Sequence, residues 1–181
     1  MIVKPRTKPH ILLAYEALFR RLKKAFYNNE HIRNEYARFY AGYIGEKRVD
    51  YKLSLYPSSD LHLFYDLRLK QNDHYFQMDT LVLTRSFLCI IEIKNLKGTL
   101  IYDTLQKQLI QQADGKEIGF SDPVLQAETQ KYNLENWLQQ FNIQIPIETI
   151  IVSSHPTAII KHTHNNPFHY NKFAHYDNLP S

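Results

Sequence analysis

Cysteine is almost absent. The single thiol, Cys89, can form no internal disulfide, which fits a reduced compartment. Long hydrophobic runs are missing too: no stretch has the length and apolarity to span a bilayer. The first residues, Met1-Ile2-Val3-Lys4-Pro5-Arg6, lack the apolar core of a signal peptide. There is no internal repeat and no low-complexity linker. These absences predict a soluble cytoplasmic protein with no membrane span. Charge of either sign is unremarkable, with 22 Lys+Arg against 18 Asp+Glu and a formal charge of +4. That balance permits a polyanion partner without requiring one. What is present is an ordinary globular composition of 181 residues, 44% hydrophobic, with 13 Tyr and 10 Phe. The length suffices for one domain with a real core.

Apolar spacing predicts a helix over residues 10–28, with a basic opposite face of Arg20, Arg21, Lys23 and Lys24, and a second over 30–50 interrupted by Gly42 and Gly45. A mid-helix glycine costs about 1 kcal/mol relative to alanine, a cost that a closely approaching element would explain. Strands follow at about 61–69, 75–84 and 88–94, the last two joined through Arg85-Ser86 as an antiparallel hairpin. Another strand starts at Gly98, and a small hairpin turns at Ala113-Asp114-Gly115-Lys116. Asp122 and Pro123 read as N-cap and first residue of a helix to about Phe141, with Val124, Ala127, Tyr132, Leu134, Trp137, Leu138 and Phe141 on its buried side. Residues 146–152 form a further core strand. The order predicts an α/β (α+β) domain with a mixed central β-sheet flanked by helices.

The chemistry concentrates at Asp79 and at Glu92-Ile93-Lys94. These charges lie on apolar strands, where an ionised group must be paired or bind a metal. Alternation puts Glu92 and Lys94 on one face, and Asp79 on the adjoining strand can come alongside. Two carboxylates held together repel, and a divalent cation relieves that repulsion. Hard oxygen donors suit Mg²⁺ or Mn²⁺. The Ile93 backbone carbonyl is a further candidate ligand, and Glu46 can complete the set. Lys94 would hold a water or stabilise charge on a phosphate. The same residues also read as a buried salt bridge, Lys94 with Asp79 or Glu92. Lys47, Arg48, Arg68, Lys94 and Lys97 form a candidate basic rim for phosphates. His155, His162, His164, His169 and His175 read as a surface loop rather than a metal site, Cys89 as core rather than nucleophile, and Asp66 as a partner for Arg68 or Lys94.

Three blocks extend the pattern: Gly42-Tyr43-Ile44-Gly45-Glu46-Lys47-Arg48-Val49, Gln77-Met78-Asp79-Thr80-Leu81-Val82-Leu83 and Ile91-Glu92-Ile93-Lys94-Asn95-Leu96-Lys97-Gly98. Together they resemble the nuclease-related domain, NERD, which is similar to the PD-(D/E)XK nucleases. The resemblance implies a restriction-endonuclease-like fold, Mg²⁺ (or Mn²⁺) at Asp79, Glu92, the Ile93 carbonyl and Glu46, and catalysis by Asp79, Glu92, Lys94 and Glu46. It implies substrate contacts from Gln77, Gln126, Lys97 and Arg48. Thr80 stands where the family often has histidine, and Arg85-Ser86-Phe87 where its turn often has glycine. The implied activity is metal-dependent hydrolysis of phosphodiester bonds in DNA, with a homodimer as one assembly. The alternative is a nuclease-fold module that binds nucleic acid or a protein partner with little or no turnover. The expected organisation is an N-terminal helical extension over 1–35, the nuclease-related domain over 36–155, and an irregular tail over 156–181 that leads toward further sequence.

Overall fold

The computed structural model describes residues 1–23, 29–56, 60–163 and 171–179. Lys24 and Phe26 of the expected first helix, and His164 and His169, lie outside them. The elements run β1 (Ile2–Lys4), α1 (His10–Arg21), α2 (Glu30–Ser54), β2 (His62–Gln71), β3 (His74–Leu83), β4 (Leu88–Lys94), β5 (Thr99–Asp103), β6 (Gln108–Ala113), β7 (Lys116–Phe120), α3 (Pro123–Gln139), β8 (Ile147–Ser153), β9 (Ile159–His162) and β10 (Phe173–His175). The fold is α+β with two mixed sheets. The larger has the order β1-β2-β3-β4-β8-β10, the smaller β7-β6-β5-β9.

β2, β3 and β4 form an antiparallel meander, while β4 and β8 run parallel and in register from Leu88↔Ile147 to Lys94↔Ser153. The parallel step is made by the crossover through β5–β7 and α3. The hairpin β6–β7 turns where expected, with Asp114 and Gly115 at positive φ. The 1–35 segment contributes β1, parallel to β2, and the 156–181 segment contributes β9 and β10, one to each sheet.

α2 covers one face of the large sheet. Val49 and Leu53 pack with Leu63, Tyr65, Val82, Ile91, Ile93 and Val152. α3 covers the other, where Leu134 meets Phe76, Met78, Leu81, Leu88, Ile90 and Ile147. Burying each such side chain contributes roughly 1.5–3 kcal/mol. The N-terminal half of α3 is shared with the small sheet, as Val124 and Ala127 pack on Leu100, Tyr102 and Leu109. Asp122 caps α3 by accepting from Val124 N at 2.8 Å, and Pro123 opens it, as the sequence indicates. The buried side of α3 is narrower than expected, because Tyr132 and Phe141 are exposed and Gln130 is buried.

The two glycines of α2 differ. A Cβ on Gly45 would lie 2.3 Å from Asn95 Cβ and 2.4 Å from Ser154 Oγ, whereas one on Gly42 would meet nothing. Gly45 alone is the point of close approach, where α2 presses on the chain leaving β4 and β8.

Candidate active site

Strict side-chain alternation breaks at the site. On β2, Phe64 faces α3, and so do Leu67 and Leu69; on β3, Met78 faces α3, and so do Leu81 and Leu83. Both strands therefore change phase together, at Asp66 and Asp79. These two residues lie opposite each other, between the pairs Tyr65↔Thr80 and Leu67↔Met78. Asp66 takes the left-handed conformation, φ 52°, which aspartate tolerates better than most residues. Its side chain accepts a hydrogen bond from Gln77 Nε2.

The kink frees Asp79 from the ladder. The β3–β4 register ends at Thr80↔Ile91, and Asp79 Oδ2 accepts from the backbone N–H of Ile93 at 2.9 Å. Glu92 is buried on the α3 side. Its Oε1 accepts from Lys94 Nζ at 2.9 Å and its Oε2 from Gln130 Nε2 at 2.9 Å. Lys94 Nζ also donates to Gln126 Oε1 at 3.0 Å. The salt bridge that the sequence left open is thus formed with Glu92, and the ammonium is aimed from α3. Gln130 Oε1 is buried without a hydrogen-bond partner among the described residues. An acceptor beside Glu92 therefore still wants a donor.

Burial pushes the Asp79 carboxyl up to about 8, and the charges of Glu92 and Glu46 push in the same direction; the Ile93 N–H and Arg6 oppose them. Burial also raises Glu46, against the pull of Arg6. Three acids thus bear on one another in a poorly solvated place. No three His, Cys, Asp or Glu side chains among the described residues are already gathered as a metal-holding group.

Arg6 is the residue that sequence reasoning missed. It is buried, with 4% of its side chain exposed. It donates to Glu46 Oε2 at 2.8 Å, to both Asp50 oxygens at 2.7 and 3.0 Å, and to the Asp79 carbonyl at 2.8 Å. Burial alone would lower its pKa; the hydrogen bond to Asp50 and the charges of Glu46, Asp50 and Asp79 outweigh burial and raise it. Lys4 holds the other side of the kink, donating to the carbonyls of Tyr65 and Asp66 at 2.7 and 2.6 Å. Nothing in the spacing of Lys4 and Arg6 marks them, because strand pairing across some sixty residues brings them in. Gln130 carried a better signal: it stands one helical turn beyond Gln126 on the same face.

The expected basic rim is dispersed. Lys94 sits among the acids, and Arg68 lies over the Tyr75 ring at 4.7 Å. Lys47 lies over Tyr43 at 5.8 Å. Arg48 and Lys97 line a cavity between α2 and the chain after β4. Gln77 and Gln126 line a different cleft of about 540 Å³ with Phe76, Asp122 and Gln130. Cys89 is half-buried and its thiol is pushed up to about 11 by burial, as befits a packing residue. His155 receives a bond at its backbone carbonyl from His175 at 3.0 Å.

A sequence model of the nuclease-related domain matches residues 41–154, which holds α2 from its middle onward and the strands β2 through β8. The chain belongs to the nuclease-related domain family. No curated protein and no solved structure matches it. The family match spans Glu46, Asp79, Glu92, Lys94, Gln126 and Gln130, and leaves Lys4 and Arg6 outside. In this nuclease-related chain no helix among the described residues is long and apolar enough to cross a membrane.

Proposed function

We propose that the chain is a metal-dependent nuclease that hydrolyses phosphodiester bonds in DNA, using Asp79, Glu92 and Lys94. One observation carries the reading. Four carboxylates, Asp79, Glu92, Glu46 and Asp50, face two cations, Arg6 and Lys94, at a largely buried site. With all four ionised, two negative charges are left over, the charge that a divalent ion would balance; without an ion, the raised Asp79 carboxyl relieves the repulsion by holding its proton. The donors are all oxygen, which suits Mg²⁺ or Mn²⁺, and the orphaned Gln130 Oε1 adds an acceptor for a water beside Glu92. Asp79, Glu92 and the Ile93 carbonyl would hold the ion, and Glu46 would join directly or through water. When bound, it would supply Lewis acidity and lower the pKa of a water. Gln126 aims Lys94, whose ammonium stabilises the charge that develops on the phosphate. Gln130 fixes the Glu92 carboxylate, and Gln77 and Gln126 line the cleft through which a strand would reach it.

Purified protein incubated with plasmid and oligonucleotides in Mg²⁺ or Mn²⁺ should cleave. Asp79→Ala, Glu92→Ala and Lys94→Ala should each lose roughly a hundredfold or more of that rate. Equal residual cleavage in all variants would overturn the catalytic assignment.

A second reading has its own support. Both Glu92 oxygens are engaged, and one oxygen of Glu46 is held by Arg6. A module that binds nucleic acid or a protein partner without turnover fits that saturation. Nucleic-acid binding that EDTA leaves unchanged, with no cleavage in either metal, would select it.

A further inference from the structure

We propose that the cavity lined by Tyr40, Ile44, Arg48, Leu96, Lys97 and His155 is a second site, for a phosphate-bearing nucleotide, separate from the carboxylate cluster. Its volume is about 380 Å³, at the small end of ligand cavities and suited to one nucleotide. It shares no lining residue with the cleft over α3.

The position follows from the fold. β4 ends at Lys94 and the parallel β8 at Ser153, and the cavity lies just beyond both ends. In open α/β sheets ligands sit in crevices at the carboxyl ends of parallel strands, and β4 and β8 present one such parallel pair within this mixed sheet. Gly45 brings α2 down onto Asn95 and Ser154. Helical spacing then turns Tyr40, Ile44 and Arg48 to one side, toward the cavity, while Glu46 turns toward Arg6.

The charge is of one sign. Arg48 makes only long bonds, 3.5 Å to Asn95 Oδ1 and 3.4 Å to the Ser154 carbonyl, and no carboxylate among the described residues pairs with it. Most of its fork of donors is left for a planar anion. Lys97 pairs with Asp114, but both are exposed, so the pair is weak and the ammonium can turn to a ligand. His155 engages Thr157 through Nδ1, which leaves Nε2 as a donor. Burial lowers the pKa of His155, and the charges of Arg48, Lys97 and His175 lower it further. That positive field is what an anion would relieve. Part of the wall is apolar: Tyr40 is stacked on Tyr36 at 5.7 Å and 19°, a braced ring that lines the cavity with Ile44 and Leu96. A base fits that wall, and a phosphate fits the three donors.

The site deepens the nucleic-acid reading of the chain and builds on it for the source of the phosphate, either a free nucleotide or a strand. Binding of adenosine monophosphate and of a short labelled single-stranded oligonucleotide would be measured in EDTA, for the intact chain and for Arg48→Ala, Lys97→Glu and, as a charge-matched control at an exposed position outside both cavities, Lys70→Glu. Arg48→Ala and Lys97→Glu should each weaken binding about tenfold and reduce the salt slope by about one, while Lys70→Glu keeps it. Lys97 is exposed, so its variant tests the site even if Arg48→Ala fails to fold. Binding of the oligonucleotide alone would place the phosphate within a strand, and binding of both would make it a nucleotide site. Unchanged affinity in Lys97→Glu and in folded Arg48→Ala, or no binding of either probe, would overturn the proposal. Glu92-dependent cleavage together with binding unchanged in the Arg48 and Lys97 variants would remove this site and leave the nuclease reading. Binding that depends on Arg48, with no cleavage in Mg²⁺ or Mn²⁺, would do the reverse.

Discussion

Asp79 concentrates the physics of the site at the scale of one residue. Its side chain caps the Ile93 N–H, and its carbonyl accepts from Arg6. Burial, Glu92 and Glu46 together hold its pKa near 8, against an ordinary value of 3.8. A carboxyl raised on folding binds its proton more tightly in the native state. Between those two values the native state therefore holds more protons than the unfolded chain, and stability falls as pH rises through that window. Asp79→Asn removes this group's share of the slope and leaves those of the raised Glu46 and Asp50. In EDTA, the variant should melt above the parent at pH 8, by roughly 2–4 °C for each kcal/mol relieved, and the gain should vanish below about pH 4. Thermal melts across that range check it. A gain that persists at the acid end would mean that the raised carboxyl is not its cause.

At the scale of the element, α2 carries Glu46 and Arg48 on neighbouring faces and lies close to the ends of β4 and β8. The contact depends on Gly45. Gly45→Ala puts a methyl group 2.3 Å from Asn95 Cβ and must push the helix away. A destabilisation of about 1–3 kcal/mol is expected, together with weaker cleavage, since Glu46 rides on the next residue. Gly42→Ala meets nothing and should stabilise by up to about 1 kcal/mol through helix propensity. Denaturant melts of the pair should move in opposite directions. The sequence marks both glycines as unusual in a helix but does not separate them, because only the packed neighbour distinguishes a close contact from an open face.

For the whole molecule, the N-terminal segment and the family domain act as one body. β1 adds a parallel strand at the edge of the large sheet, and Lys4 and Arg6 staple the paired kink of β2 and β3. Removing Arg6 leaves the partly buried Glu46 and Asp50 without their cation, which should cost less than the about 3–5 kcal/mol of breaking a fully buried pair. Arg6→Ala should therefore unfold at markedly lower denaturant. Arg6→Lys should rescue little, because one ammonium cannot reach two carboxylates and a carbonyl as the planar fork does. Deleting residues 1–8 should be at least as damaging. A deletion that melts like the parent would show that the segment is an appendage.

The sequence by itself determined the meander, the capped α3, the Asp114-Gly115 turn and the family. Each rests on local signals: alternation, a cap followed by proline, a turn dipeptide and motif blocks. It also singled out Asp79, Glu92 and Lys94 as candidates, because charges on apolar strands announce themselves, and Glu46 through the motif block on the helix. Tertiary structure alone decided that β2 and β3 change phase at Asp66 and Asp79, which strict alternation does not foresee. It alone brought in Arg6, divided the strands into two sheets and sent Arg48 and Lys97 to a cavity apart from the acids. The physical reason is the range of the interactions. Capping, turns and periodicity act over a few residues, whereas the charge balance of a buried site is set by groups that only sheet pairing brings within reach.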